Sequence, residues 1–179
     1  MEDMTRVPYA SVVGSLMYAM VCTRPYITQA VGVQSWFMAN PKRVRWDAVK
    51  RVFRYLRGTS EYSLCFYGNP TGPQHSLSIC GYVDSNWTGD IDNRRSISGY
   101  VFRLFGGVVS WMSKRQVVIT FFTTGVEYMV ATHACKEAIW LKKLCLNIGF
   151  DVGHINICCD SQCYLFSKKS YCPCQNKAY

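Results

Sequence analysis

The apolar periodicity of this 179-residue chain changes twice, and that change limits its possible folds more than any other feature. Up to Gly58, apolar residues recur at three- and four-residue steps, the period of a helix with one buried face. Tyr9, Val12, Val13, Leu16, Met17 and Met20 follow Pro8, which suits a first helical position. A second segment starts at Thr23 and Pro25, carries Ile27, Ala30, Val31 and Met38 on one side, and breaks at Asn40-Pro41. A third helix is expected from about Arg45 to Arg57, with Trp46, Val49, Val52, Phe53 and Leu56 on one arc and Gly58 as its stop. Beyond it the pattern turns to β. Tyr62–Tyr67 is a short β-like run, and Leu77–Val83, Gly99–Phe105 and Val108–Ser113 are rich in β-branched and aromatic residues. Gly106-Gly107 marks a hairpin turn, and Val117–Phe122 is a further strand or an extension of that hairpin. The helical period returns from about Thr124 to Ile148, with Val130, Ala134, Ala138, Leu141, Cys145 and Ile148 on one stripe. Ile155–Cys159 is a last strand. The order is helices, then β-β-β-α-β, an α/β chain of the α+β kind.

Composition agrees with a packed core. Hydrophobic residues make up 49% and charged residues 17%, which excludes intrinsic disorder. The length fits one domain, or one plus a piece of a second. Asn69–Gln74, with two Pro and one Gly, is the clearest loop between the two regimes. None of the ten cysteines sits in a zinc pattern, and Cys172-Pro173-Cys174 has one spacer where zinc sites use two to four. No apolar leader follows Met1, and no run of about 18 uncharged apolar residues occurs. The expectation is an intracellular protein, cytoplasmic or nuclear, with reduced thiols and no membrane span.

The net charge of +9 raises the weight of a polyanionic partner. It concentrates on the third helix, where Lys50, Arg51, Arg54 and Arg57 share an arc. That arc is either a solvated face or a phosphate-contacting one. Acidic residues are scarce, so their positions carry information. Asp84 follows Gly81-Tyr82-Val83, Asp160 follows Ile157-Cys158-Cys159, and Glu127 lies at the start of the long helix. If the two strands are neighbours, these carboxylates converge at one edge and offer hard oxygen donors for Mg2+ or Mn2+. Two such ions about 4 Å apart can drive phosphodiester hydrolysis. The alternative is structural: Asp84 caps a turn, Glu127 answers the helix dipole, and Asp160 caps the next helix. His133, His75 and His154 form no ligand pattern, and no Gly-rich phosphate loop follows a strand. Ser110 and Ser161 have no nearby histidine, so no hydrolase triad is expected.

These residues sit in longer motifs. The sequence resembles the Pol polyprotein of copia-type LTR retrotransposons from about Tyr9 to Gln162. YASVVGSLMYAMVCTRP and WDAVKRVFRYLRGT are similar to the C-terminal end of the reverse transcriptase. GYVDSNWTGDIDNRRSISGYVFRLFGGVVSWMSKRQ, EYMVATHACKEAIWLKKL and CCDSQ are similar to the ribonuclease H domain. The resemblance implies three segments: residues 1–60 as a helical reverse transcriptase remnant, 61–162 as an RNase H-like domain, and 163–179 as a tail. It also implies two Mg2+ ions held by Asp84, Glu127 and Asp160 as catalytic acids. The implied partner is an RNA–DNA hybrid, whose RNA strand the family cuts during reverse transcription.

Departures from the family pattern imply weak or absent activity here. Tyr26 stands where the family has Asp in RPDI, and Ser85 and Asn86 replace Ala and Asp in VDADW. Phe121, Phe122, Gly125 and Val126 replace parts of LSTTEAEY, with Phe122 expected to crowd the site if buried. The family's fingers and palm have no counterpart, so no polymerisation is expected. After Gln162 the pattern stops, together with the last strand and the fourth acidic residue, and residues 163–179 read as family sequence in a shifted frame. The rival readings are a non-catalytic nucleic-acid-binding remnant and a non-functional pseudogene product.

Overall fold

The computed structural model describes residues 4, 7–67, 79–90, 95–117, 122–150 and 152–159, with the backbone alone for 86–90. Contacts divide the chain into two compact units, Met1–Leu64 and Cys65–Tyr179.

The first unit is helical: α1 (Tyr9–Cys22), a 3-10 turn at Pro25–Ile27, α2 (Thr28–Ser35) and α3 (Arg43–Gly58). Tyr9, Val13 and Leu16 recur at i, i+4, i+7 and are buried with Ile27, Val31, Val49 and Val52. The Tyr9 hydroxyl donates to the Gln34 carbonyl at 3.0 Å, which ties α1 to the end of α2. Burial, opposed in part by the Arg45 charge, pushes the Tyr9 hydroxyl above the usual tyrosine range. Pro8 sits one position earlier than expected, as the N-cap with non-helical ψ 56°. Two arcs are narrower than their patterns. Ala30 and Phe53 are exposed, because the buried strip is limited to what neighbouring helices cover, not to what a wheel groups together. The C-terminal end of α3 is held by Arg24. Its guanidinium donates to the carbonyls of Thr59 (2.9 Å), Tyr62 (2.8 Å) and Ser60 (3.2 Å).

The second unit holds β1 (Ile79–Asp90), β2 (Arg95–Leu104), β3 (Gly107–Arg115), α4 (Thr123–Asn147) and β4 (Ile155–Cys159). It is an α+β sheet-and-helix unit. The sheet order is β3-β2-β1-β4, with β1 antiparallel to β2, β2 antiparallel to β3, and β1 parallel to β4. α4 lies in the crossover to the parallel strand, the connection parallel pairing requires. Its stripe Val130, Ala134, Ala138, Leu141 and Cys145 is buried against Ile79, Val83, Phe102 and Val152. Ile148 does not continue that stripe; it lies past the helix end as the C-cap and is 60% exposed.

Strand boundaries differ from the sequence pattern: β2 begins at Arg95, four residues before Gly99, and β3 runs on to Arg115. β1 runs on past Asp84 because Ser85 and Asn86 pair with Ser98 and Ile97, so weak β propensity is overridden by cross-strand bonding. The Tyr62–Tyr67 run is no strand. Its residues carry no regular secondary structure, and the Tyr67 N–H donates to the Phe105 carbonyl at 2.8 Å. The hairpin turn is Phe105-Gly106, both at positive φ (52° and 79°), one residue earlier than expected. Gly107 instead opens β3, where the Phe66 ring and the Cys65 carbonyl lie too close to admit a Cβ. The loop 69–74, most of 117–122, and Asp160 with everything after it lie outside the described residues. Among the described residues no helix is long and apolar enough to cross a membrane.

Candidate functional site

Alternation along β1 sorts its side chains. Ile79, Gly81 and Val83 are buried on the α4 side, whereas Tyr82 and Asp84 are exposed on the other. Asp84 therefore stands in mid-strand, opposite Gly99 of β2, and does not end the strand as expected. On the β4 side, Val83 pairs with Cys159. The two residues that come directly after this pair in sequence are Asp84 and Asp160, the second of which lies outside the described residues. Cys80 and Cys158 bring their sulfurs to 4.0 Å across the same parallel pair. A hydrogen bond with the Cys80 thiol is the main cause that pushes the Tyr82 hydroxyl above its ordinary value.

Glu127 is half-buried beside fully buried Val126. α4 begins at Thr123, so Glu127 falls beyond the first turn, which holds no acidic residue. The dipole explanation for Glu127 loses force there, since that effect fades within one turn. The start of α4 is fastened to the sheet by Gln116. Its Nε2 donates to Ser98 Oγ at 2.6 Å and to the Val126 carbonyl at 3.3 Å. Ser98 pairs with Ser85, the neighbour of Asp84. A chain of contacts thus joins the Asp84 region of β1 to the Glu127 turn of α4. Gln116 Oε1 is buried without a hydrogen-bond partner, a polar atom turned inward at this junction.

Sequence reasoning passed over Gln116 and also Glu137. Glu137 Oε1 accepts from Ser110 Oγ at 2.6 Å, clamping α4 to β3. Burial first, and then the Glu137 carboxylate, pushes the Tyr100 hydroxyl up. The signal was a carboxylate directly beside Ala138 on the buried stripe. His133 and His154 are exposed, and among the described residues no three His, Cys, Asp or Glu side chains gather as a metal group.

Phe122 is 77% exposed, so it does not crowd the site as expected. It does occupy the N-cap of α4, in extended conformation and without a side-chain capping bond. Phe122→Ser should therefore stabilise the unit by about 1 kcal/mol by placing a capping hydroxyl at the N-cap. Urea unfolding followed by far-UV circular dichroism measures it, and an unchanged midpoint would show that the first turn is satisfied otherwise.

In the first unit, Lys50, Arg51, Arg54 and Arg57 are all exposed along α3. Lys50 Nζ is 3.5 Å from Asp47 and 5.8 Å from the Trp46 ring centroid.

The retrovirus-related Pol polyprotein from transposon TNT 1-94 of Nicotiana tabacum is 49% identical over 160 residues, 89% of this chain and 12% of that polyprotein. The Pol polyprotein from transposon RE2 of Arabidopsis thaliana is 34% identical over 146 residues, 82% of this chain and 10% of its own length. The chain is thus similar to one segment of the retrovirus-related Pol polyproteins of plant transposons. The chain spans about a tenth of the length of these two polyproteins. Its sequence is also 47% identical over 138 residues to the secreted RxLR effector protein 161 of Plasmopara viticola, covering 94% of that protein. No family model and no solved structure matches the chain.

Proposed function

We propose that the sheet-and-helix unit is an RNase H-like domain, descended from a nuclease that cuts the RNA strand of RNA–DNA hybrids. The observation that supports this reading most is the pairing of Val83 with Cys159 on adjacent parallel strands, one residue before Asp84 and Asp160. The mixed order β3-β2-β1-β4, with α4 packed on β1 and β2, adds to it. The donor chemistry fits a hard divalent cation: Asp84, Glu127 and Asp160 offer carboxylate oxygens, and Asp84 is open to solvent. To hold Mg2+ or Mn2+ together, these three would have to meet past the Val83–Cys159 pair, Asp84 from the solvent face and Glu127 from the α4 side; the ion when bound supplies an activated water and stabilises the leaving oxygen. Gln116 keeps the turn bearing Glu127 against β2, and Asp84 keeps its carboxylate at the solvent face.

Turnover is expected at trace level. Three like charges repel one another unless a cation and a firm scaffold hold them. Here α4 starts from an uncapped Phe122 with Gly125 in its first turn, which weakens the support of Glu127. The test is cleavage of an end-labelled RNA–DNA hybrid by the full chain in Mg2+ or Mn2+, with Asp84→Asn as control. Trace product lost in Asp84→Asn supports the reading. Robust cleavage lost in Asp84→Asn overturns the expected weakness, and cleavage indifferent to Asp84→Asn overturns the site.

A second reading rests on the exposed arc of Lys50, Arg51, Arg54 and Arg57: α3 contacts nucleic-acid phosphates without cutting. Reversing Arg51 and Arg54 to Glu should weaken binding and flatten its salt dependence, as read by fluorescence anisotropy across a salt series.

A further inference from the structure

We infer that the first unit carries a stacking platform for single-stranded nucleic acid, built from Tyr26, Tyr55 and Tyr62 around Arg24. Tyrosines usually turn much of the ring inward, yet here the three are 77%, 43% and 66% exposed. They come from three places in the chain: the 3-10 turn, α3 and the segment after α3. All three line one shallow notch, with room for about one water at roughly 10 Å3, and Arg24 forms part of its wall. The rings are carried on fixed backbone. Arg24 donates to the Thr59, Ser60 and Tyr62 carbonyls, and Tyr26 lies two residues beyond it, next to Pro25. Backbone already fixed in this way lowers the ordering cost of binding.

Charge selects the class of partner. α3 carries Arg43, Arg45, Lys50, Arg51, Arg54 and Arg57 against the single acid Asp47. Arg51 stands one turn before Tyr55 on the same helix face, and Arg54 is its immediate neighbour; both are exposed. Exposed ring faces beside cations match flat bases joined by phosphates. A duplex keeps its base faces inside the stack, so only unpaired bases can use the rings.

The inference rests on the nucleic-acid reading of α3 and is tested apart from it. Full-length chain is titrated into a labelled oligothymidylate of about 15 nucleotides and, separately, into a duplex of the same length. Tyr26→Ala and Tyr55→Ala should each weaken single-strand binding about tenfold, with Tyr26→Phe near wild type and duplex binding changed less than about twofold. Tyr26 is exposed enough that its variants should keep the wild-type circular dichroism. Equal losses on strand and duplex, or no loss on either, overturn the platform; if Arg51→Glu still weakens both, the phosphate reading survives. Absence of binding to either probe at low salt overturns both readings and leaves a protein as the partner of these tyrosines.

Discussion

Phe102→Ala should destabilise the sheet-and-helix unit by about 3–5 kcal/mol, the range for truncating a sealed aromatic. Phe102 is fully buried on β2, within a core formed with Ile79, Val83, Val130 and Ala134. Its ring meets Tyr100 edge-on, with centroids 5.6 Å apart. It also lies directly over Gly81 of the neighbouring strand, where an added Cβ would come within 2.5–3.0 Å of three ring atoms. Gly81 is thus the space the ring occupies. Gly81→Ala should cost about 1–3 kcal/mol by overpacking. The two positions should also be coupled: Gly81→Ala with Phe102→Leu should lose less than the sum of the single changes, because the smaller side chain frees room for the new methyl. Urea unfolding of the wild type, Phe102→Ala, Gly81→Ala, Phe102→Leu and the Gly81→Ala/Phe102→Leu double variant measures all three quantities. A Phe102→Ala loss under about 1 kcal/mol would mean that the ring is not enclosed.

Arg24→Ala should destabilise the helical unit by about 2 kcal/mol, since hydrogen bonds to a charged group are worth more than neutral ones. The guanidinium spans three carbonyls just past the end of α3, beside the negative end of the helix dipole. Two of the three bonds are solvent-exposed, which keeps the expected loss below the sum of three buried ones. Arg24→Lys should recover only part of the loss, because an ammonium cannot present a planar fork to carbonyls of three residues. Full recovery by lysine would mean that a point charge at the helix end is enough. Arg24→Ala should also loosen the backbone of Tyr62 and weaken single-strand binding alongside the tyrosine variants.

Periodicity alone was enough to read α4 as a helix and to name its buried face through Cys145. The same holds for β4 and for the helical character of the first unit, because local spacing decides which residues share a face. The carboxylates Asp84, Glu127 and Asp160 were legible from their scarcity and from the motifs around them. What needed the tertiary structure was everything set by partners distant in sequence. β1 continues past Asp84 because Ser98 and Ile97 lie opposite Ser85 and Asn86. Phe53 and Ile148 match their apolar patterns yet remain exposed, since periodicity names a face but only packed neighbours bury it. Gln116 and Glu137 took on meaning only once the sheet lay against α4, because a polar side chain shows its purpose through the atom it bonds. The chain's own pattern therefore determined the elements and their faces. Their ends, and the polar contacts that fasten α4 to the sheet beside Asp84, were decided by long-range pairing that no local spacing encodes.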